Sequence, residues 1–225
     1  VSLIFKGLPY KTEWVEYPDI EPTLKRLGAP PTGIKPDGSD AYTLPAIYDD
    51  STKVYISDSW KIAEYLDETY PDTPRLFPSG TKAAIDLFQY HFSHSLFKHI
   101  LHAVIAPTCH TLNPRSEEYF RRTREATFKC KIEEIAPAGP KGDEVWALVK
   151  EGLSTLSQVL SKNGPDAQFY LNDQFSYADA IVVSFLEWAK IVMQANDEWK
   201  SVETWDNGRW ARLLSSTEKY HAGRD

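Results

Sequence analysis

The residues best placed for ligand chemistry in this sequence are an aspartate and a serine at the head of an amphipathic segment, Asp58-Ser59, and a proline inside a β-rich run, Pro45. Asp58 carries the charge that suits an ammonium group. Ser59 offers a hydroxyl, and the helix it would open offers unpaired N–H groups and a partial positive charge, a natural seat for a carboxylate or phosphate. Together they could hold both charged ends of an amino acid. Pro45 has no N–H for a ladder and pushes Leu44 into an extended conformation, which leaves backbone groups free to pair with a peptide as an added strand. The plainer alternative is that residues 57–59 only cap a helix and Pro45 only blocks a sheet edge. Lys25 and Lys35 could meet a ligand carboxylate from upstream, or simply be solvated.

These residues need elements to hold them. Residues 43–48 are β-rich, Asp49-Asp50-Ser51 is turn chemistry and residues 53–56 alternate polar and apolar, which predicts a β-hairpin. A helix follows from Asp58-Ser59, with Trp60, Ile62, Ala63, Tyr65 and Leu66 as apolar positions, and Pro71 stops it. Upstream, residues 1–6 read as the last turns of an apolar helix closed by Gly7, without an N-cap or initiator methionine. Residues 10–17 alternate with period two and predict a strand; residues 21–27 predict a short helix ended by Gly28. Residues 29–40 form a long loop dense in turn residues. A proline-rich connection over 72–80 reads as a domain boundary. Beyond it the pattern is helical over 81–106, 113–135, 143–160 and 177–194, with one short helix and a tail in 199–225. Ser176-Tyr177-Ala178-Asp179 is a capping box, so Asp179 reads as a buried cap and not as a catalytic acid.

Composition bounds the function. A net charge of −7 and a pI near 5.4 argue against an electrostatic nucleic-acid binder, because phosphate contacts need clustered Lys and Arg. Cys109 and Cys130 are too far apart for a metal knuckle or a redox pair and predict plain thiols in a reducing compartment. The longest apolar run is interrupted by Glu187 and Lys190, so no spanning helix is expected, and no leader is evident, which predicts a cytoplasmic protein. His91, His94, His99 and His102 fall within one broad arc of a regular helix. Their ends are about 16 Å apart at 1.5 Å per residue, too far to share an ion, so no metal is expected. A wall of an aromatic pocket or a subunit contact is the better reading. Hydrolase, zinc-protease and nucleotide-binding motifs are missing.

The order Leu-Pro, hairpin, Asp-Ser and amphipathic helix, set in KGLPYKTEWVEYPDIEPTLKRLGAPPTG and YTLPAIYDDSTKVYISDSWKIAEYLDETYP, resembles the glutathione-binding half of the cytosolic glutathione transferases. It is most similar to a fungal-specific class, class A, related to bacterial β-etherases, and the likeness covers most of the chain. The resemblance implies an α/β plus all-α fold: a thioredoxin-like N-terminal domain over residues 1–75, here without its first strand, and an all-helical acceptor-binding domain over 80–225. It implies a cis Leu44-Pro45 bond, with Leu44 pairing with the cysteinyl backbone of glutathione. Asp58 and Ser59 would hold the γ-glutamyl end, Lys35 would be a further glutathione contact, and Tyr90, His91 and Phe92 would face the acceptor pocket. Glutathione would be the co-substrate of a homodimeric enzyme that conjugates or reduces hydrophobic aromatic compounds, such as wood or plant aromatics undergoing detoxification. The other reading is a non-catalytic carrier of aromatic ligands on the same fold. The family keeps its thiol-activating Ser, Cys or Tyr between the first strand and the first helix, so the catalytic group is expected before Val1.

Overall fold

The computed structural model describes residues 1–164, 167–193 and 197–221. Ser2–Phe5 forms one helical turn, α1, and the chain reverses at Gly7 in the left-handed region (φ 67°), where a missing Cβ makes the turn cheap. The expected strand over 10–17 does not form; residues 10–14 are exposed and carry no regular structure. Alternation specifies a face but not a partner, and none of the strands described lies alongside this segment to take its N–H and C=O groups. Its far end is tied to the helical half instead. The Ser116 hydroxyl accepts from the Tyr17 amide at 2.9 Å and donates to Glu16, Asn113 donates to Glu16 at 2.6 Å, and Arg115 pairs with Asp19.

Ile20–Leu27, α2, stops at Gly28 as its sequence predicts. The turn-rich stretch beyond it is more ordered than a loop: Gly33–Ile34 (β1) pairs antiparallel with Asp40–Ala41 (β2). The predicted hairpin is present, with Ala46–Asp49 (β3) antiparallel to Val54–Ser57 (β4) and Ile47 opposite Ile56. Ser59–Thr69, α3, packs Ile62 and Leu66 on Ile56. Asp49 locks hairpin to helix by accepting from the phenols of Tyr65 at 2.7 Å and Tyr70 at 2.6 Å.

Partial burial pushes the Asp49 carboxyl up, but the Tyr70 and Tyr65 phenols and the Ser51 and Thr52 amides outweigh it and hold the group at about 2, below its ordinary 3.8. A depressed carboxyl stabilises the folded protein above its unfolded value and loses that contribution as pH falls through its folded one. Acid unfolding followed by fluorescence is therefore expected to draw on Asp49 between about pH 4 and 2, and Tyr70→Phe to move the acid limb to higher pH. An identical acid limb in the variant would show that the network does not couple to folding.

The second half is helical. Lys82–His91 (α4), a π-helical segment Phe92–Phe97 and Lys98–Thr111 (α5) form a continuous rod. It runs past Pro107, where the sequence predicts an end; packing overrides the lost N–H, with Thr108 bonded back to Val104 and Trp188 donating to Thr108 at 3.1 Å. Pro114–Phe128 (α6) ends earlier than predicted, at Lys129 in the left-handed region, and a short 3-10 turn, Ile132–Glu134, follows. Pro140–Leu160 (α7) and Tyr177–Val192 (α8) come next; Gln194, the predicted end of α8, lies outside the described residues. In place of one short final helix there is Asp197–Thr217 (α9), broken by non-helical backbone at Trp205 to Gly208; residues 222–225 lie outside the described residues.

Two contacts join the halves. Lys6 and Asp67, both buried, pair at 2.7 Å, and Asp67 also accepts from the Leu76 and Phe77 amides at 3.0 and 2.8 Å while Lys6 donates to the Pro74 carbonyl. Beside them an aromatic cluster forms from Trp60 of α3, Phe77 of the connection and Tyr177 of α8, with ring centroids 4.7 to 5.4 Å apart. The main core lies within the helical half, around Val104, Leu153, Val183 and Trp210.

Candidate functional site

The Leu44-Pro45 peptide bond is cis, and the Pro45 carbonyl accepts from the Asp58 amide at 3.3 Å. That single contact brings the two stretches singled out in the sequence to one place. Leu44 itself is 43% exposed, and among the described residues its peptide groups bond to no other backbone. Its edge is free for an extended ligand.

Asp58 caps α3. Its Oδ1 accepts from the Trp60 and Lys61 amides at 3.0 and 3.1 Å, so the carboxylate consumes two of the N–H groups that the sequence leaves for a ligand. The cap is real, but it is not an ordinary one. Asp58 sits at φ 82° and ψ 128°, a conformation that L-residues seldom adopt and that clusters at ligand sites, where surrounding structure over-determines it. Ser59, the first helical residue, stays exposed with its hydroxyl available. The site thus offers an open peptide edge, a hydroxyl and a fixed carboxylate: acceptors and donors for a small zwitterionic peptide. Ser57, just before it, is buried, and its hydroxyl finds no protein partner among the described residues.

Lys35 is not a free cation. It donates to Glu21 at 2.7 Å, and Lys25 donates to the other oxygen of the same carboxylate at 2.7 Å, with its ammonium also over the Tyr42 ring. Those hydrogen bonds hold Glu21 below, and both lysines above, their ordinary values. A ligand carboxylate at Lys35 has to compete with Glu21.

The three acceptor-pocket candidates separate. A cavity of about 390 Å³ opens between the α4 rod and α7, with His91 and Phe92 in its wall beside Phe88, Leu96 and Tyr170. Tyr90 is 62% exposed outside it, stacked on His94 at 4.0 Å. Gly152 of α7 lets the helices approach, since a Cβ there would meet Leu96 Cδ1 at 2.6 Å. The cavity shares no lining residue with Leu44, Pro45, Asp58 or Ser59. Nor do the four histidines form one arc: His91 and His99 line the cavity, His94 faces out and His102 meets the Phe128 ring. The π-helical segment causes this, because its i→i+5 bonding takes up an extra residue and rotates everything downstream. Burial pushes the His99 imidazole down, toward the neutral form.

One neighbour of the site escapes the sequence reading. Tyr177, the residue after the Ser176 cap, is buried with its ring edge-on to Trp60 at 5.4 Å, and its phenol lies beside the Ser59 hydroxyl and within the field of Asp58. The only local signal was an aromatic residue where the capping box opens. Among the described residues no group of three or more His, Cys, Asp or Glu could hold a metal ion, and no helix is long and apolar enough to cross a membrane.

Comparison with known proteins places this geometry. The glutathione S-transferase N-terminal domain model matches residues 1–69, and the C-terminal domain model matches residues 83–220. A glutathione S-transferase of Ceriporiopsis subvermispora, crystallised in complex with glutathione, is 46% identical, with a TM-score of 0.95 over 100% of this chain and 89% of its own. A glutathione transferase of Phanerochaete chrysosporium is 41% identical, with a TM-score of 0.92 over 97% of this chain and 86% of its own. Among curated proteins, the glutathione S-transferase-like protein ustS of Aspergillus flavus is 33% identical over 99% of this chain and 82% of its own length. With a thioredoxin-like first half and an all-helical second half, the chain belongs to the glutathione S-transferase family.

Proposed function

We propose that this protein is a glutathione transferase that binds glutathione across Leu44, Pro45, Asp58 and Ser59 and conjugates or reduces hydrophobic aromatic compounds with it. The observation that carries the reading is the Pro45–Asp58 contact, which sets an open peptide edge beside a helix N-terminus bearing a hydroxyl and a carboxylate. In this arrangement Leu44 pairs with the cysteinyl backbone of the tripeptide, the Ser59 hydroxyl donates to the γ-glutamyl carboxylate and Asp58 faces its ammonium. Lys35 serves as a peripheral contact, exchanging Glu21 for the tripeptide's other carboxylate. The thiol is then held for deprotonation, after which the thiolate attacks an electrophilic carbon or displaces at sulfur. The identity to fungal enzymes supports placement in the fungal-specific class A related to bacterial β-etherases, with a detoxifying role toward wood or plant aromatics, in a cytoplasmic homodimer. Residues 1–75 and 80–225 act as glutathione-binding and acceptor-binding domains in this reading.

Ser59→Ala is expected to weaken glutathione binding by about 1–3 kcal/mol, the range for a hydrogen bond to a charged group. Calorimetric titration with glutathione measures it, and unchanged affinity would reduce Ser59 to a helix-start residue. The cavity beside His91 and Phe92 favours a second reading, a carrier of aromatic ligands, because it stands apart from the glutathione residues. Steady-state turnover of an aryl halide with glutathione, set beside the affinity for the same compound, separates the two: binding without turnover selects the carrier.

A further inference from the structure

We propose that Tyr177 is a positioning residue for glutathione, its phenol fixing the Ser59 hydroxyl so that α8 of the helical half sets the affinity of the other half's site. The inference rests on the reading above, in which Ser59 binds the γ-glutamyl end. Tyr177 is 5% exposed, and its ring is pinned on two sides, by Trp60 at 5.4 Å and Phe77 at 5.2 Å. Its backbone is pinned as well, because the Tyr177 amide donates to the Leu76 carbonyl at 2.8 Å and the residue is the first of a helix closed by the Ser176–Asp179 box. A phenol held this way has one place to go. It lies beside the Ser59 hydroxyl and feels the Asp58 carboxylate, the two groups assigned to the γ-glutamyl end.

The energetic logic is preorganisation. A serine hydroxyl at an exposed helix start turns freely among staggered rotamers, and ordering it on binding costs free energy that a fixed neighbour removes beforehand. A phenylalanine would fill the Tyr177 position equally well for packing on Trp60 and Phe77. The hydroxyl, in contrast, has no role in that apolar packing, which makes it separable from the structural function of the ring.

The test is a double-mutant cycle on the intact protein, with glutathione as the titrant. Ser59→Ala is measured first; unchanged affinity there refutes the glutathione reading itself. Given a loss in Ser59→Ala, Tyr177→Phe is expected to raise the glutathione Kd about three- to tenfold in the wild-type background, the worth of one ordinary hydrogen bond. In the Ser59→Ala background the same substitution is expected to change Kd by less than about twofold, because the group it acts through is gone. In turnover, the effect should appear in KM for glutathione and not in kcat, which a general loosening of the fold would not produce. Either of two results overturns the inference while leaving the glutathione reading intact: no change on Tyr177→Phe, or the same weakening in both backgrounds.

Discussion

Asp67→Ala is expected to cost about 3–5 kcal/mol of folding stability, the range for removing one partner of a buried ion pair. The Lys6 side chain is fully buried, so its ammonium would be left in the interior with only the Pro74 carbonyl, and the Leu76 and Phe77 amides would lose their acceptor in the same step. Burying an unpaired charge and two orphan donors is costly because none can reach water without opening the junction between the halves. Thermal unfolding reads the loss, and replacing both partners by apolar residues, Lys6→Met with Asp67→Leu, should cost less than Asp67→Ala alone. If the single and double variants are equally unstable, the burden lies with the amides of the connection and not with the stranded charge.

Asp179→Ala is the second large loss expected, again about 3–5 kcal/mol, as the sum of a helix cap and further buried hydrogen bonds. Asp179 accepts from the Ser176 amide at 2.9 Å, the Ser176 hydroxyl at 2.7 Å and the Tyr170 amide at 2.7 Å, all deep in the helical half. Burial drives its carboxyl up to about 6, against the pull of those three donors. Ser176→Ala removes the hydroxyl but leaves both amides their acceptor, so it should cost only about 1 kcal/mol, as cap substitutions do. Chemical denaturation of the two variants gives the comparison, and near-equal costs would mean that the carboxylate adds nothing beyond an ordinary cap.

What was legible in the sequence was local. Pro45, the Asp49–Ser51 turn and the Asp58 cap are each read from residue types a few positions apart, and the hairpin and α3 follow. The capping box at Ser176 marked α8 for the same reason. The strand expected over 10–17 failed because pairing is a relation between segments, and alternation describes only one of them. α9 was underestimated because Asp206, Asn207 and Gly208 are breakers in isolation, yet they occupy left-handed backbone that joins two helical pieces; Asp206 accepts from Ser154 and Trp210. Of the site, Leu44, Pro45, Asp58 and Ser59 were visible, whereas the pairing of Lys35 with Glu21 and the approach of Tyr177 to Ser59 arise only when distant segments fold together.

The π-helical turn at Phe92–Phe97 makes the rod a text with two reading frames. Upstream of it, Ile85 and Phe88 face the core; downstream, Ile100, Ala103 and Val104 do, and no single 3.6-residue count joins the sets in phase. Deleting one residue within the turn would restore ordinary α-helical bonding and lose nothing in composition. It would also swing the whole of Lys98–Thr111 by about 100°, the angle per residue of an α-helix, and carry its core residues to the surface. The spare residue is therefore punctuation: it keeps the cavity wall and the core face of one helix separately spelled.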